Sequence, residues 1–160
     1  MRSAFVAGWW FGFGYFFAGL YWIGHAFLVD VQTFGWLLPF AIVALPAAMA
    51  IYTGIGLALA RAIWVRGPLR ILSLAIALTI VEWLRGHLFT GFPWNTYGYA
   101  LTGPLVLAQT AALIGVWGLT FIAVAVFATP ALLMRMSIEP KVSTAVFTIP
   151  SAPALSDTES

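Results

Sequence analysis

Three long runs of uncharged residues most strongly limit what this chain can fold into. They cover residues 4–29, 31–60 and 86–134, with only Asp30 between the first two. Each is longer than the roughly 20 apolar residues that an α-helix needs to cross the hydrocarbon core of a bilayer. Because a lone strand cannot satisfy its backbone hydrogen bonds in lipid, the runs predict membrane-spanning helices.

The composition leaves too little polar surface for a water-soluble globule. Hydrophobic residues make up 62% of the chain and charged residues only 8%, whereas soluble domains are about 25% charged. The mean hydropathy is +1.00. We therefore predict an all-α integral membrane protein, a bundle of about four transmembrane helices. With Gly and Pro as breakers, the predicted spans cover about residues 4–29, 34–60, 69–88 and 105–134.

The chain changes character near its C-terminal end. Residues 1–134 form the predicted transmembrane helical domain. From about Ser137 the sequence turns to Ser, Thr, Pro and scattered charges, a composition typical of segments that do not fold alone. We predict a flexible polar tail over 135–160 and no second folded domain.

The basic residues predict the orientation in the membrane. In a four-span arrangement most of them fall on one side, while Asp30 and the aromatic loop over residues 89–104 fall on the other. The positive-inside rule then places the N-terminus, the 61–70 loop and the tail in the cytoplasm. The basic residues on that side are Arg2, Arg61, Arg66, Arg70, Arg135 and Lys141.

Several classes of site are excluded by the side chains available. With no cysteine, the chain supplies no disulfide, no thiolate metal ligand and no thiol nucleophile. Its two histidines, His25 and His87, have no recognisable partner ligands, so we predict neither a metal site nor a cofactor. The net charge of +2 comes from scattered residues, which argues against nucleic acid as a partner.

One polar cluster interrupts the apolar sequence. Glu82 and Arg85 lie in the third predicted span, and the 89–104 loop with Trp94 and Asn95 follows directly. Two unpaired charges at a helix centre would cost about 5 to 7 kcal/mol on insertion scales. Because Glu82 and Arg85 are three residues apart, they share one helical face, and we expect a direct ion pair.

Two interpretations of this cluster remain open. The pair either orients the helix toward the bundle interior, or Arg85 binds a lipid phosphate near the interface. Trp94 is expected at the membrane–water boundary, and Asn95 either donates to a lipid headgroup or caps the next element. The lipid- or substrate-facing candidates are thus Glu82, Arg85, Trp94 and Asn95, and no catalytic residue is predicted in this chain.

Small residues four positions apart predict where helices approach closely. Gly8 with Gly12, and then Gly19, mark such a face in the first span, and Gly54 with Ala58 mark another in the second. Ala111 and Gly115 have the same spacing in the fourth span. Faces of this kind let two helix backbones come together, so all three are predicted packing faces.

Several segments together resemble a known family. They are GWWFGFGYFFAGLYWIG at 8–24, EWLRG at 82–86, TGFPW at 90–94 and GY at 98–99. Over roughly residues 4–130 the chain is similar to the membrane region of apolipoprotein N-acyltransferases. The EWLRG helix end followed by GFPW is more specific than a hydropathy pattern.

The resemblance implies a multi-pass enzyme of the bacterial inner membrane that completes lipoprotein maturation. Such an enzyme moves an acyl chain from a phospholipid to the N-terminal amino group of the lipidated cysteine of an apolipoprotein. The bilayer, the phospholipid donor and the apolipoprotein are then the expected partners. In the family a nitrilase-like domain supplies a Glu-Lys-Cys triad, whose cysteine becomes a thioester acyl-enzyme.

This chain departs from that pattern. It has no cysteine, its lysine is Lys141 in the predicted tail, and it has no segment of the size of a nitrilase-like domain. We therefore expect a fragment of the membrane region, truncated at both ends, inactive alone and partnered by a separate nitrilase-like domain. The second hypothesis is a small noncatalytic bundle, transporter-like or scaffold. Transport would need a chain of interior polar residues across several helices, for which only Glu82, Arg85 and Gln109 qualify.

Overall fold

Five α-helices and short 3-10 segments make up the described part of the fold. The computed structural model describes residues 1–147. The α-helices are α1 (Arg2–Leu20), α2 (Val31–Phe34), α3 (Leu38–Ala62), α4 (Arg70–His87) and α5 (Leu105–Phe147). The 3-10 segments are Tyr21–Leu28, Gly35–Leu37 and Tyr97–Leu101. The described part contains no strand, which confirms the prediction of an all-α membrane bundle.

Three helical stretches are long and apolar enough to cross a bilayer. Among the described residues these are Arg2–Leu28, Val31–Ala62 and Leu105–Ala131. The span predicted at 69–88 corresponds to α4, an 18-residue helix that carries three charged side chains, Arg70, Glu82 and Arg85. The molecule is therefore a multi-pass membrane protein with one helix more polar than the others.

The chain divides into two compact units. The first is Met1–Ala128 and the second begins at Thr129. All the contacts discussed below lie within the first unit. The helical backbone of α5 extends past residue 134 to Phe147, and residues 148–160 lie outside the described residues. The flexible tail over 135–160 remains a prediction.

Glycines hold α1 close against α3. A Cβ at Gly8 would lie 2.7 Å from the carbonyl oxygen of Thr53 and 3.0 Å from the Cα of Gly54. A Cβ at Gly12 would lie 2.8 Å from the Thr53 side chain and 3.1 Å from the Cα of Ala50. The packing faces predicted at Gly8, Gly12 and Gly54 are thus confirmed, because only hydrogen atoms fit between these backbones.

The third predicted packing face is wrong, because Gly115 has another role. Its φ of 69° and ψ of 175° interrupt α5, a conformation that glycine adopts without the steric cost of a Cβ. Apart from the adjacent residues and backbone of α5 itself, no atom of the described residues lies within 4 Å of a Cβ built on Gly115. The spacing of Ala111 and Gly115 therefore reflects a break in the helix and not a helix–helix contact.

Candidate functional site

The predicted ion pair lies at the C-terminal end of α4. The Nη2 of Arg85 is 2.8 Å from Oε2 of Glu82, and Nε donates to Oε1 at 3.1 Å. Both residues are 1% exposed. Both side chains lie on the same turn of α4. Their i, i+3 spacing therefore allows two parallel N–H···O bonds between guanidinium and carboxylate, and no other helix is needed to bring the two groups together.

The other arm of the guanidinium binds the main chain of the 89–104 loop. Nη1 of Arg85 donates to the carbonyl oxygen of Phe92 and, at 2.8 Å, to that of Trp94. In return the backbone N–H of Phe92 donates to the carbonyl oxygen of Arg85 at 2.9 Å. We call these contacts, together with the pairing to Glu82, the Arg85 clamp. It ties the end of α4 to the loop that follows.

Aromatic and hydroxyl groups enclose the clamp. The guanidinium carbon of Arg85 lies 4.9 Å from the ring centroid of Phe16, which is fully buried. The Tyr97 and Tyr15 rings have centroids 5.0 Å apart, and the Tyr97 hydroxyl is 3.3 Å from the hydroxyl of Thr53. A cation over an aromatic face and a charge paired inside the protein both compensate for lost hydration.

The loop phenol stays neutral in this setting. Burial, and then the nearby Glu82 carboxylate, raises the pKa of the Tyr97 phenol above its ordinary value. An ordinary phenol is already neutral at physiological pH, and the raised pKa of Tyr97 extends this neutral, hydrogen-bonding form to more alkaline conditions. Together with the pair on α4, it gives the apolar bundle a small polar interior.

Two further contacts hold the loop against α1 and α5. The Asn95 side chain lies directly against Gly19 on α1, where a Cβ would collide with its amide. The backbone N–H of Gly98 donates to the Thr120 hydroxyl at 3.1 Å. A Cβ at Gly98 would lie 2.7 Å from the carbonyl oxygen of Val116 on α5. The loop is thus the element that brings α1, α4 and α5 together.

The four predicted lipid- or substrate-facing residues lie at different depths. Glu82 and Arg85 lie inside the bundle, Asn95 is half-buried, and Trp94 is 57% exposed. The Trp94 ring meets that of Trp22 edge-on, with centroids 6.1 Å apart. The structure brings all four to the end of α4, and direct lipid or substrate contact by them remains a prediction.

Some members of the site were missed by sequence reasoning. Phe16, Thr53 and Tyr97 come from three distant parts of the chain, so no local pattern connects them with Arg85. The carbonyl acceptors of Phe92 and Trp94 could have been anticipated, because a guanidinium has five N–H donors and one carboxylate cannot accept them all.

Two apolar clefts flank this cluster. One of about 300 Å³ lies between α1, the loop and α5. Another of about 430 Å³ lies between α3 and the end of α4. Clefts of this size accept the apolar part of a small ligand. Aromatic residues that line them include Phe11, Tyr15, Tyr97 and Phe127 in the first, and Tyr52, Phe89 and Phe92 in the second.

Comparison with known proteins decides the family. A family model described as the apolipoprotein N-acyltransferase N-terminal domain matches residues 1–129. The chain belongs to the apolipoprotein N-acyltransferase family. The match covers α1 to α4, the 89–104 loop and most of the apolar part of α5, so it includes every contact of the clamp.

Curated relatives agree with this assignment. The apolipoprotein N-acyltransferase of Rhodopseudomonas palustris is 67% identical over 132 residues, which is 82% of this chain and 25% of that protein. The same enzyme of Bradyrhizobium diazoefficiens is 57% identical over 132 residues, again 82% and 25%. That of Brucella suis is 52% identical over 126 residues, 79% of this chain and 24% of the relative.

The chain spans about a quarter of the length of these curated apolipoprotein N-acyltransferases. No solved structure matches it. The resemblance seen in the EWLRG and GFPW motifs is confirmed, and the matched region is the N-terminal domain of the family.

Proposed function

We propose that this chain forms the membrane-embedded part of an enzyme that transfers an acyl chain from a phospholipid to the N-terminal amino group of lipidated apolipoproteins. The observation that carries the proposal is the family match across residues 1–129. The membrane bundle and its apolar clefts support it, since an acyl donor reaches such a protein through the bilayer. Phospholipid and apolipoprotein are the proposed partners.

A chimera tests this function directly. Residues 1–129 would replace the corresponding segment of the Rhodopseudomonas palustris enzyme, which is 67% identical over 132 residues. We expect the chimera to acylate a diacylated lipopeptide at a rate within about tenfold of the parent, because the packing contacts are preserved at this identity. A folded, membrane-inserted chimera without N-acylation would contradict the proposal.

We further propose that residues 1–160 alone are catalytically inactive. The sequence holds no cysteine, so a thioester acyl-enzyme requires a thiol from a separate nitrilase-like domain. Purified chain incubated with labelled phospholipid should therefore give no hydroxylamine-sensitive adduct, while the full-length relative gives one under the same conditions. A hydroxylamine-sensitive label on the chain itself would refute the inactivity.

The proposed location is the bacterial inner membrane, with the N-terminus in the cytoplasm. Since the chain lacks native cysteine, single thiols can report the side of each loop. We expect a membrane-impermeant maleimide to label Phe89→Cys in intact spheroplasts, and Arg66→Cys only after permeabilisation. Both residues are exposed, so access to the reagent depends on the side of the membrane. The reverse labelling pattern would invert the topology.

A further inference from the structure

The guanidinium of Arg85 has little capacity left for a ligand. Nε and Nη2 donate to the two oxygens of Glu82, and Nη1 donates to two loop carbonyls. Of the five N–H donors of arginine, four are thereby used. A lipid phosphate binds arginine best through two parallel N–H groups. It could do so here only by displacing either Glu82 or the loop.

Left-handed residues lie on both sides of the loop segment that Arg85 contacts. Phe89 has φ 53°, Thr90 has φ 75° and Asn95 has φ 57°. This conformation is unfavourable for Phe and for the β-branched Thr, whereas Asn adopts it more readily. The two carbonyls bound by Arg85 lie between them. Strained backbone of this kind persists only where surrounding contacts hold it.

We propose that Arg85 is a positioning residue, which fixes the backbone of residues 92–94 and thereby sets the position of the Trp94 indole. The ring of Trp94 is 57% exposed and lies edge-on to Trp22, whereas the backbone beneath it is bound to a buried charge. Amphipathic indole rings of this kind favour the membrane interface. Arg85 lines the cleft between α3 and the end of α4 but is only 1% exposed, so its effect on Trp94 passes through the main chain.

A spin label in the loop tests this role in the full chain. Phe89 is 91% exposed, and with no native cysteine a nitroxide on Phe89→Cys reports only this segment. In phosphatidylcholine vesicles, Arg85→Lys should keep an ion pair with Glu82 but cannot also bind both carbonyls. We expect the rotational correlation time of the label to shorten about threefold, toward that of a free loop.

A matched variant and a second readout separate positioning from general stability. Arg70→Lys alters an arginine at the opposite end of α4, which donates to the carbonyl oxygen of Gly67, and should leave the label unchanged. The second readout is the quenching of Trp94 fluorescence by brominated phospholipid, obtained by subtracting the signal of a Trp94→Phe variant. We expect this quenching to change in Arg85→Lys. The far-UV circular dichroism spectrum should stay the same. If Arg85→Lys keeps its helical content, and both the mobility of the label and the quenching of Trp94 equal those of the chain with Arg85, the proposal is overturned.

The chain with Arg85 intact provides a test that does not depend on the fold of a variant. Vesicles with increasing phosphatidic acid should leave the rotational correlation time of the label on Phe89→Cys unchanged, because the donors of Arg85 are engaged by the loop and by Glu82. If phosphatidic acid increases the mobility of the label to the same extent with and without Arg70→Lys, Arg70 is not the lipid-binding group. Arg85 has then been released to the lipid phosphate, and the proposal fails. Neither result depends on acyl transfer, so this inference and the proposed function can fail separately.

Discussion

Glu82→Ala is expected to destabilise the chain by about 3 to 5 kcal/mol, the cost typical of leaving one partner of a buried pair uncompensated. Arg85 would remain 1% exposed, bound to two loop carbonyls but without a counter-charge. Burial of the charged guanidinium would then cost hydration free energy that no attraction to a carboxylate offsets. An SDS titration in detergent micelles, followed by far-UV circular dichroism, should show unfolding at a markedly lower SDS fraction.

Two variants calibrate this result. Asp30→Ala removes an exposed carboxylate that accepts from the backbone N–H of Thr33 at 3.2 Å, and should cost only about 1 kcal/mol. Glu82→Ala combined with Arg85→Ala should be destabilised by less than the sum of the single changes, because removing both charges removes the unpaired one. If Glu82→Ala unfolds no earlier than Asp30→Ala, the buried pair stabilises the fold no more than an exposed helix cap does, and the expected effect of about 3 to 5 kcal/mol is wrong.

The ion pair could be predicted from the sequence, whereas the rest of the clamp could not. Glu82 and Arg85 pair because a single helix turn brings them together, and helix geometry needs no tertiary information. The loop carbonyls reach Arg85 only because the chain reverses through Phe89, Thr90 and Gly91 at positive φ. Gly91 is a recognisable turn signal, but nothing in the sequence indicates that Phe89 and Thr90 adopt this conformation.

The spacing of glycines along the sequence also does not by itself predict the role of each glycine in the structure. The i, i+4 glycines of α1 correctly predict a close helix approach, since both Gly8 and Gly12 meet α3. The pair Ala111 and Gly115 has identical spacing, yet Gly115 interrupts α5. Because glycine has no Cβ, it permits both close packing of two backbones and a positive φ. Only the neighbouring elements decide which use is realised.

The second large effect concerns the contact between α1 and α3. Gly8→Ala would place a Cβ 2.7 Å from the carbonyl oxygen of Thr53 and 3.0 Å from the Cα of Gly54. These are backbone atoms, so the helices must separate instead of a side chain rotating away. We expect a loss of about 1 to 3 kcal/mol or more, the usual cost of overpacking, in the same SDS titration.

Gly14→Ala is the matched control on the same helix. Apart from the adjacent residues and backbone of α1 itself, no atom of the described residues lies within 4 Å of a Cβ at Gly14. Alanine in a helix interior is favoured over glycine by about 1 kcal/mol. This variant should therefore be as stable as the parent or more stable. Since both changes add the same methyl group to α1, the difference between them isolates the close approach to α3. Equal stability of Gly8→Ala and Gly14→Ala would show that α1 and α3 tolerate separation, and that the packing face does not fix the bundle.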